Sequence, residues 1–172
     1  MTIEISVQTV RGTWQHPGVS KIVGIDLGTT NSLVAAVDAG IPLVIADPEG
    51  QRLTPSVVHF PGPGTEPIVG HAANRVRVLQ PVETVYSIKR FIGRRGSEIS
   101  QEEMLVTYPV RGENAGPVTV GIHGHDFTPE EISAEILKKL MRDAAAFFSG
   151  GQDPHRGGGP ARRGKHRGAL PS

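Results

Sequence analysis

The sequence of 172 residues has no cysteine, which excludes disulfide bonds and thiolate-ligated metal sites. It also has no apolar stretch that approaches the length needed to cross a bilayer. The first 20 residues carry Glu4 and no continuous apolar run, so they do not resemble a secretory signal. These absences predict a soluble cytoplasmic protein without a membrane partner.

A large net charge is lacking as well, because the formal total is only +1. Residues 151–172 hold five Lys/Arg and one Asp, a local charge of +4, which leaves −3 for the rest of the chain. This segment is rich in Gly and Pro, so residues 150–172 are predicted to be a disordered tail. An Arg/Gly-rich tail can bind RNA by charge, but this one has no aromatic residue to stack on bases, which argues against a nucleic-acid partner.

The most informative segment that is present is Ile22–Ser32, which reads IVGIDLGTTNS. Its β-branched start predicts a buried strand, and Leu33–Val37 predicts the next one. Between them Gly28 allows a tight turn, so the amides of residues 28–30 can point at an anion. Asp26 ends the first strand, where its carboxylate can hold a hydrated metal ion. An ordinary hairpin turn without a ligand is the alternative interpretation.

Four further segments follow this motif. They are TPSVVHF (Thr54–Phe60), VGHAANR (Val69–Arg75), SIKRFIGRR (Ser87–Arg95) and EISAEILKKL (Glu131–Leu140). In this order and spacing, and over about residues 21–148, the chain resembles the 70-kDa heat-shock (DnaK-type) chaperones of the actin-like ATPase superfamily.

The resemblance implies an α/β protein with the actin-like ATPase (ribonuclease H-like) fold, built from a mixed sheet with flanking helices. A chain of this length can hold only an incomplete first lobe of that fold. We therefore expect an N-terminal extension at residues 1–20, as a loose segment rather than an edge strand, and a partial nucleotide-binding domain at residues 21–149. The family pattern stops after Phe148, which predicts a shifted reading frame or a truncated gene at the tail.

The same resemblance implies ATP and Mg as cofactors and assigns roles to the motif residues. Asp26 resembles the carboxylate that organises the waters of the metal. Thr29 and Thr30 resemble the phosphate contacts, with Thr29 nearer the attacking water. Gly28 supplies the turn, and Asn31 completes the phosphate-binding segment.

A lysine on an amphipathic helix is ordinarily a solvated cation, and this is the alternative for Lys89. Within Ser-Ile-Lys-Arg-Phe-Ile-Gly, Lys89 resembles the family lysine that reaches the γ-phosphate and the attacking water. Phosphoryl transfer needs such a cation, because catalysis there is mainly positioning and charge neutralisation. Arg90 resembles a residue of the cleft wall.

The chain has no counterpart of the family's second phosphate hairpin, adenosine-binding segment or peptide-binding domain. We therefore expect it to bind ATP weakly and to have negligible ATPase turnover alone. Full-length relatives couple ATP hydrolysis to the binding of unfolded peptides, with J-domain co-chaperones and nucleotide exchange factors as partners. We therefore expect a fragment of an ATP-dependent chaperone, and the sequence leaves open whether it is a general chaperone or one for iron–sulfur assembly. The alternatives are another actin-fold ATPase or sugar kinase, and a non-catalytic remnant that acts as an interaction module.

Local patterns predict the secondary structure. Strands are expected at Lys21–Asp26, Ser32–Asp38, Pro42–Ala46, Ser56–Phe60, Val106–Val110, Val118–Ile122 and 124–127, and helices at His71–Val78, Thr84–Ile92 and from the Thr128 cap to Phe148. A capping box of Thr128 and Glu131 marks the start of the last helix. In an incomplete fold, we expect its face of Ile132, Ile136, Leu140 and Phe148 to be partly uncovered.

Overall fold

The computed structural model describes residues 2–6, 22–38, 40–112 and 115–149. Expectations for the tail from residue 150 onward lie outside the described residues. The largest sheet has the order β1-β2-β3-β4, with β5 paired to the start of β3. Its strands are β1 (Thr2–Ser6), β2 (Ile22–Asp26), β3 (Asn31–Asp38), β4 (Ile41–Val44) and β5 (Thr54–Pro55).

The expectation of a loose N-terminal extension is wrong for Thr2–Ser6, which form the edge strand β1. This strand runs antiparallel to β2, with Ile3 opposite Ile25 and Ile5 opposite Val23. The alternation of Ile3 and Ile5 therefore matches the period of the strand that it extends. The remainder of the expected extension lies outside the described residues.

Two three-stranded sheets follow, with the orders β7-β6-β8 and β11-β10-β9. Their strands are β6 (Val57–His59), β7 (Ile68–Val69), β8 (Thr84–Tyr86), β9 (Val110–Arg111), β10 (Thr119–Ile122) and β11 (His125–Phe127). All strand pairs among the described residues are antiparallel. A mixed sheet was expected, but the described residues contain no parallel pair of strands.

The helices are α1 (His71–Val76) and α2 (Pro129–Ser149), with short 3₁₀ turns at Ile88–Phe91 and Gly96–Glu98. The predicted capping box of α2 is confirmed, since the amide of Glu131 donates to the Thr128 hydroxyl at 3.1 Å and the amide of Thr128 donates to the Glu131 carboxylate at 2.8 Å. Among the described residues, no helix is both long and apolar enough to cross a membrane.

The predicted helix over Thr84–Ile92 is wrong. Thr84–Tyr86 form β8, and the chain then turns through Ser87 into the 3₁₀ turn Ile88–Phe91. Ser87 has a left-handed backbone with φ of 55°, which an α-helix cannot contain. The strand predicted over Val106–Val110 is wrong except at Val110, since residues 106–109 are not in a strand and β9 is Val110–Arg111.

Helix α2 lies against β2, β3, β6 and the 3₁₀ turn Ile88–Phe91. The prediction that its apolar face is uncovered is wrong for Ile132, Ile136 and Leu140, which are at most 1% exposed, and right only for Phe148, which is 37% exposed. The buried face belongs to one core that also includes Ile25 of the large sheet. The large sheet instead exposes Ile22, Val37 and Ile41, each about 70% accessible to solvent.

Two polar contacts fix loops around this core. On α2, the Lys139 ammonium lies 2.7 Å from the Asp143 carboxylate and 3.5 Å from the Asp47 carboxylate. The Asp47 carboxylate also accepts two backbone amides of its own turn. In the chain segment between β8 and β9, Arg94 pairs with Glu103 at 2.6 Å. That bond and the amide of Ser100 lower the pKa of Glu103 to about 2.

Ile136 tests how much the α2 contact stabilises the fold. Because Ile136 is 1% exposed, Ile136→Ala should lower the free energy of unfolding by about 2–5 kcal/mol, and Ile136→Val by about 0.5–1.5 kcal/mol. Urea denaturation followed by circular dichroism measures both. Equal stability of the wild type and the alanine variant would contradict burial of this face.

Candidate functional site

The turn between β2 and β3, residues 27–30, is fixed by two buried serine hydroxyls. The amide of Gly28 donates to Ser32 Oγ at 3.2 Å, and Ser56 Oγ donates to the Gly28 carbonyl at 2.8 Å. The two hydroxyls lie 2.9 Å apart, and because Ser56 has used its proton on Gly28, Ser32 donates in this bond. Both polar backbone groups of Gly28 are therefore held by one closed chain of hydrogen bonds, which we call the serine relay.

The serine relay corrects one expectation. The amide of Gly28 is bonded within the turn, so it does not point at an anion. Within the described part of the chain, the amides of Thr29 and Thr30 have no hydrogen-bond partner. The carbonyl of Thr30 accepts the amide of Ser56 at 2.8 Å, which fixes the far end of the same turn. The amides of the turn that are left without a partner among the described residues thus lie at residues 29 and 30.

Gly28 is required by a close approach of the backbone rather than by a left-handed conformation. A Cβ placed on Gly28 would overlap the carbonyl oxygen of Asn31, far inside van der Waals contact. The tight turn predicted at Gly28 is therefore confirmed.

The outer side of the turn faces solvent. Asp26, Thr30 and Asn31 are exposed, and Thr29 is half-buried. The backbone of Asn31 begins β3 and pairs with Pro55, so this residue closes the turn. The structure thus places a carboxylate, two hydroxyls and two amides around one exposed turn.

Lys89 lies at this turn although 62 residues separate it from the motif. Its ammonium donates to the carbonyl of Leu27 at 2.6 Å, and the residue is half-buried. The alternative of a freely solvated surface lysine is therefore wrong. Its neighbours Ile88 and Phe91 are 2% and 1% exposed, so the 3₁₀ turn that carries Lys89 is anchored in the core.

Arg90 is exposed beside Lys89. Its amide donates to the Ser87 carbonyl at 3.1 Å, and its own carbonyl accepts the Arg94 guanidinium at 3.3 Å. The backbone of Arg90 therefore helps to form the turn that carries the lysine. Its side chain faces solvent, and its assignment to a cleft wall stays a prediction.

Tyr108 contacts the residue that precedes this turn. Its hydroxyl donates to the Tyr86 carbonyl at 2.5 Å, and the two rings meet edge to face with their centroids 5.4 Å apart. Burial of the hydroxyl, and then the proximity of Tyr86, raise the pKa of Tyr108, while Arg90 partly offsets the shift. The hydroxyl is therefore protonated at neutral pH and able to donate.

Sequence reasoning did not identify Ser32, Ser56 and Tyr108 as parts of the site. A weak signal was present for the serines, since each is a small polar residue inside an apolar strand segment, and buried hydroxyls need partners. For Tyr108 the sequence carries no such signal, because its partner is a backbone carbonyl 22 residues away.

Gly28 and Gly24 form a matched pair for testing the turn. Gly28→Ala should lower the free energy of unfolding by about 3 kcal/mol or more, because the backbone of Asn31 must move. Gly24→Ala in β2 should leave stability equal or slightly higher, since a Cβ there meets nothing within 4 Å. Urea denaturation compares the two variants. If both variants changed the free energy of unfolding by a similarly small amount, the backbone of the turn could move to accept a Cβ, and the close approach at Gly28 would not be a constraint.

Comparison with known proteins identifies one matching family and several similar chaperones. The model of the family described as Hsp70 protein matches residues 22–151. Chaperone protein dnaK3 of Thermosynechococcus vestitus is 49% identical over 133 residues, which are 76% of this chain and 19% of the relative. Chaperone protein DnaK of Thermus thermophilus is 50% identical over 127 residues, 74% of this chain and 20% of the relative. Chaperone protein DnaK of Deinococcus radiodurans is 45% identical over 128 residues, which are 74% of this chain and 20% of the relative.

The chain spans about a fifth of the length of these curated relatives. Residues 1–21, which include β1, lie outside the family match, whereas the turn at residues 27–30, the serine relay and Lys89 lie inside it. The family match covers most of the chain and confirms the resemblance drawn from the motifs. This chain therefore belongs to the Hsp70 family, whose ATPase domain has the actin-like fold.

Proposed function

We propose that this chain is the phosphate-binding part of an Hsp70-type ATPase domain and that it binds Mg-ATP and Mg-ADP through their phosphates. The observation that carries the proposal is the 2.6 Å bond between the Lys89 ammonium and the Leu27 carbonyl. It brings a cation to the turn whose outer amides are available to an anion. An ammonium has three donors, so two are left for phosphate oxygens.

The residues present fit such a ligand. The amides and hydroxyls of Thr29 and Thr30 supply donors for phosphate oxygens, and Asn31 lies beside them. Lys89 supplies positive charge that an anionic ligand requires. Asp26 is exposed at the end of β2, where its carboxylate would hold waters of a magnesium ion. The metal, when bound, neutralises phosphate charge and orients the ligand.

In the whole domain we assign Lys89 and Thr29 to the side of the γ-phosphate that water attacks. A fixed ammonium there stabilises charge that grows in the transition state without reorganising, which is where electrostatic catalysis is strongest. Arg90 forms part of the cleft wall. The chain alone is expected to turn over negligibly, because the residues described here contact only one end of the nucleotide.

We further propose that this chain constitutes the first, incomplete lobe of the ribonuclease H-like fold and that it works in the cytoplasm. As part of a full-length relative it would couple ATP hydrolysis to the binding of unfolded peptides, with J-domain co-chaperones and nucleotide exchange factors as partners.

One observation favours a second function, that of an interaction module. One face of the large sheet exposes Ile22 and Val37, which a partner protein could cover.

Phosphate recognition predicts a particular ligand preference. The chain should bind Mg-ATP with a dissociation constant on the order of millimolar, Mg-tripolyphosphate nearly as well, and adenosine not detectably. Lys89→Ala should weaken Mg-ATP binding about tenfold or more, because it removes a charged donor. Titration followed by amide resonances of residues 27–31 measures all three ligands.

Lys138→Ala is the matched control for this titration. Lys138 is an exposed lysine of α2 that pairs with Glu135, so its loss should leave the affinity unchanged. Submicromolar affinity would show that the site is more complete than proposed. If both lysine variants weakened Mg-ATP binding equally, Lys89 would act only through the net charge of the chain and not through a specific contact.

Hydrolysis is tested in a complete domain. When residues 22–149 replace the matching part of a full-length DnaK relative, Lys89→Ala should lower single-turnover hydrolysis about 100-fold or more. Affinity for ADP should change little, since the proposed contact is to the γ-phosphate. Unchanged hydrolysis would show that Lys89 serves binding or structure only.

A further inference from the structure

We infer that Tyr108 is a positioning residue for Lys89, and that its buried hydroxyl holds the turn which directs the lysine ammonium to the Leu27 carbonyl. The inference rests on the proposed function in one respect, namely that Lys89 binds phosphate. It assigns the segment around Tyr108, which lies outside the motifs that define the site, a part in forming that site.

The contact is short, buried and directional. Tyr108 is 2% exposed, and its hydroxyl lies 2.5 Å from the Tyr86 carbonyl oxygen. A phenylalanine would fill the same space and keep the edge-to-face contact with the Tyr86 ring. The hydroxyl thus adds only one thing to this packing, a bond that fixes the direction of the Tyr86 carbonyl.

The fixed carbonyl belongs to the peptide that enters the lysine turn. Ser87 follows directly, with its φ of 55°, and a non-glycine residue holds that conformation only when its surroundings impose it. The Ser87 carbonyl then accepts the amide of Arg90 at 3.1 Å, which closes the turn around Lys89. Rotation of the Tyr86–Ser87 peptide would therefore rotate the whole turn.

A second contact braces the same segment from the same side. The Thr107 hydroxyl donates to the Pro81 carbonyl at 3.1 Å. Adjacent residues 107 and 108 thus hold both ends of the stretch from Pro81 to Tyr86. The path from Tyr108 to Leu27 runs through Tyr86, Ser87, Ile88 and Lys89, with a hydrogen bond at each end and covalent bonds between.

Two variants of the full chain isolate the hydroxyl. Tyr108→Phe removes the donor to the Tyr86 carbonyl. Tyr86→Phe is the matched control, because it removes a hydroxyl from the other ring of the same pair and leaves that carbonyl bonded. Lys89→Met is the reference, since it removes the ammonium from the Leu27 carbonyl altogether.

The first readout is the backbone amide resonance of Gly28, which shares a peptide group with the Leu27 carbonyl and senses the bond to Lys89 without any nucleotide. In Tyr108→Phe it should move toward its position in Lys89→Met, and in Tyr86→Phe it should not. A resonance unchanged in Tyr108→Phe would overturn the inference. If Tyr108→Phe does not fold, a chain with 4-fluorophenylalanine at position 108 takes its place, because the fluorine fills the volume of the hydroxyl and cannot donate to the Tyr86 carbonyl; the same two outcomes apply.

The second readout is a double-mutant cycle on Mg-ATP affinity. Tyr108→Phe should weaken binding about three- to tenfold in the wild-type background and not further in Lys89→Met. Equal weakening in both backgrounds would mean a general structural effect and would overturn the inference. If the wild-type chain does not bind Mg-ATP at all, the proposed function fails, and the Gly28 resonance alone then decides whether Tyr108 positions Lys89.

Discussion

The site depends on one hydrogen bond, from the Lys89 ammonium to the Leu27 carbonyl. A turn of backbone carries carbonyl oxygens as well as amides, and the oxygens repel an anion. An ammonium bonded to one of those oxygens offsets its partial negative charge and places positive charge beside the outer amides. A lysine is costly to hold in one place, because its long side chain loses rotamer freedom. The bond is therefore useful only if both of its ends are rigid.

Each end is held in a different way. On the acceptor side, the serine relay satisfies both backbone groups of Gly28, the residue that follows Leu27. Buried hydroxyls can be retained because every donor and acceptor in the relay has a partner. On the donor side, Ile88 and Phe91 anchor the lysine turn in the core, and the Glu130 carboxylate of α2 accepts the amide of Gly93 just beyond it at 3.0 Å. Helix α2 thus stabilises the site without contributing a residue to it.

Local signals in the sequence predicted much of this arrangement. The strand β2, the turn at Gly28 and the capping box of α2 each depend on residues within a few positions of one another, and all three are confirmed. The segment Thr84–Ile92 was predicted wrongly as a helix, because its apolar spacing fits a helix while the left-handed Ser87 is imposed from elsewhere. The partners of Ser56 and Tyr108 are backbone groups distant in sequence, and no propensity or spacing rule identifies such pairs.

The same geometry limits what the chain can recognise. In the proposed function its donors are the outer amides of the turn and the Lys89 ammonium, and the described residues that form them lie on one turn and one 3₁₀ segment. Such a site distinguishes ligands by phosphate charge and not by base, because charge acts over several ångströms whereas base recognition needs close polar partners. Tight binding of a whole nucleotide requires further contacts to offset the lost freedom of the ligand. Base recognition therefore needs residues outside this turn and this 3₁₀ segment, and the chain spans only about a fifth of the length of its curated relatives.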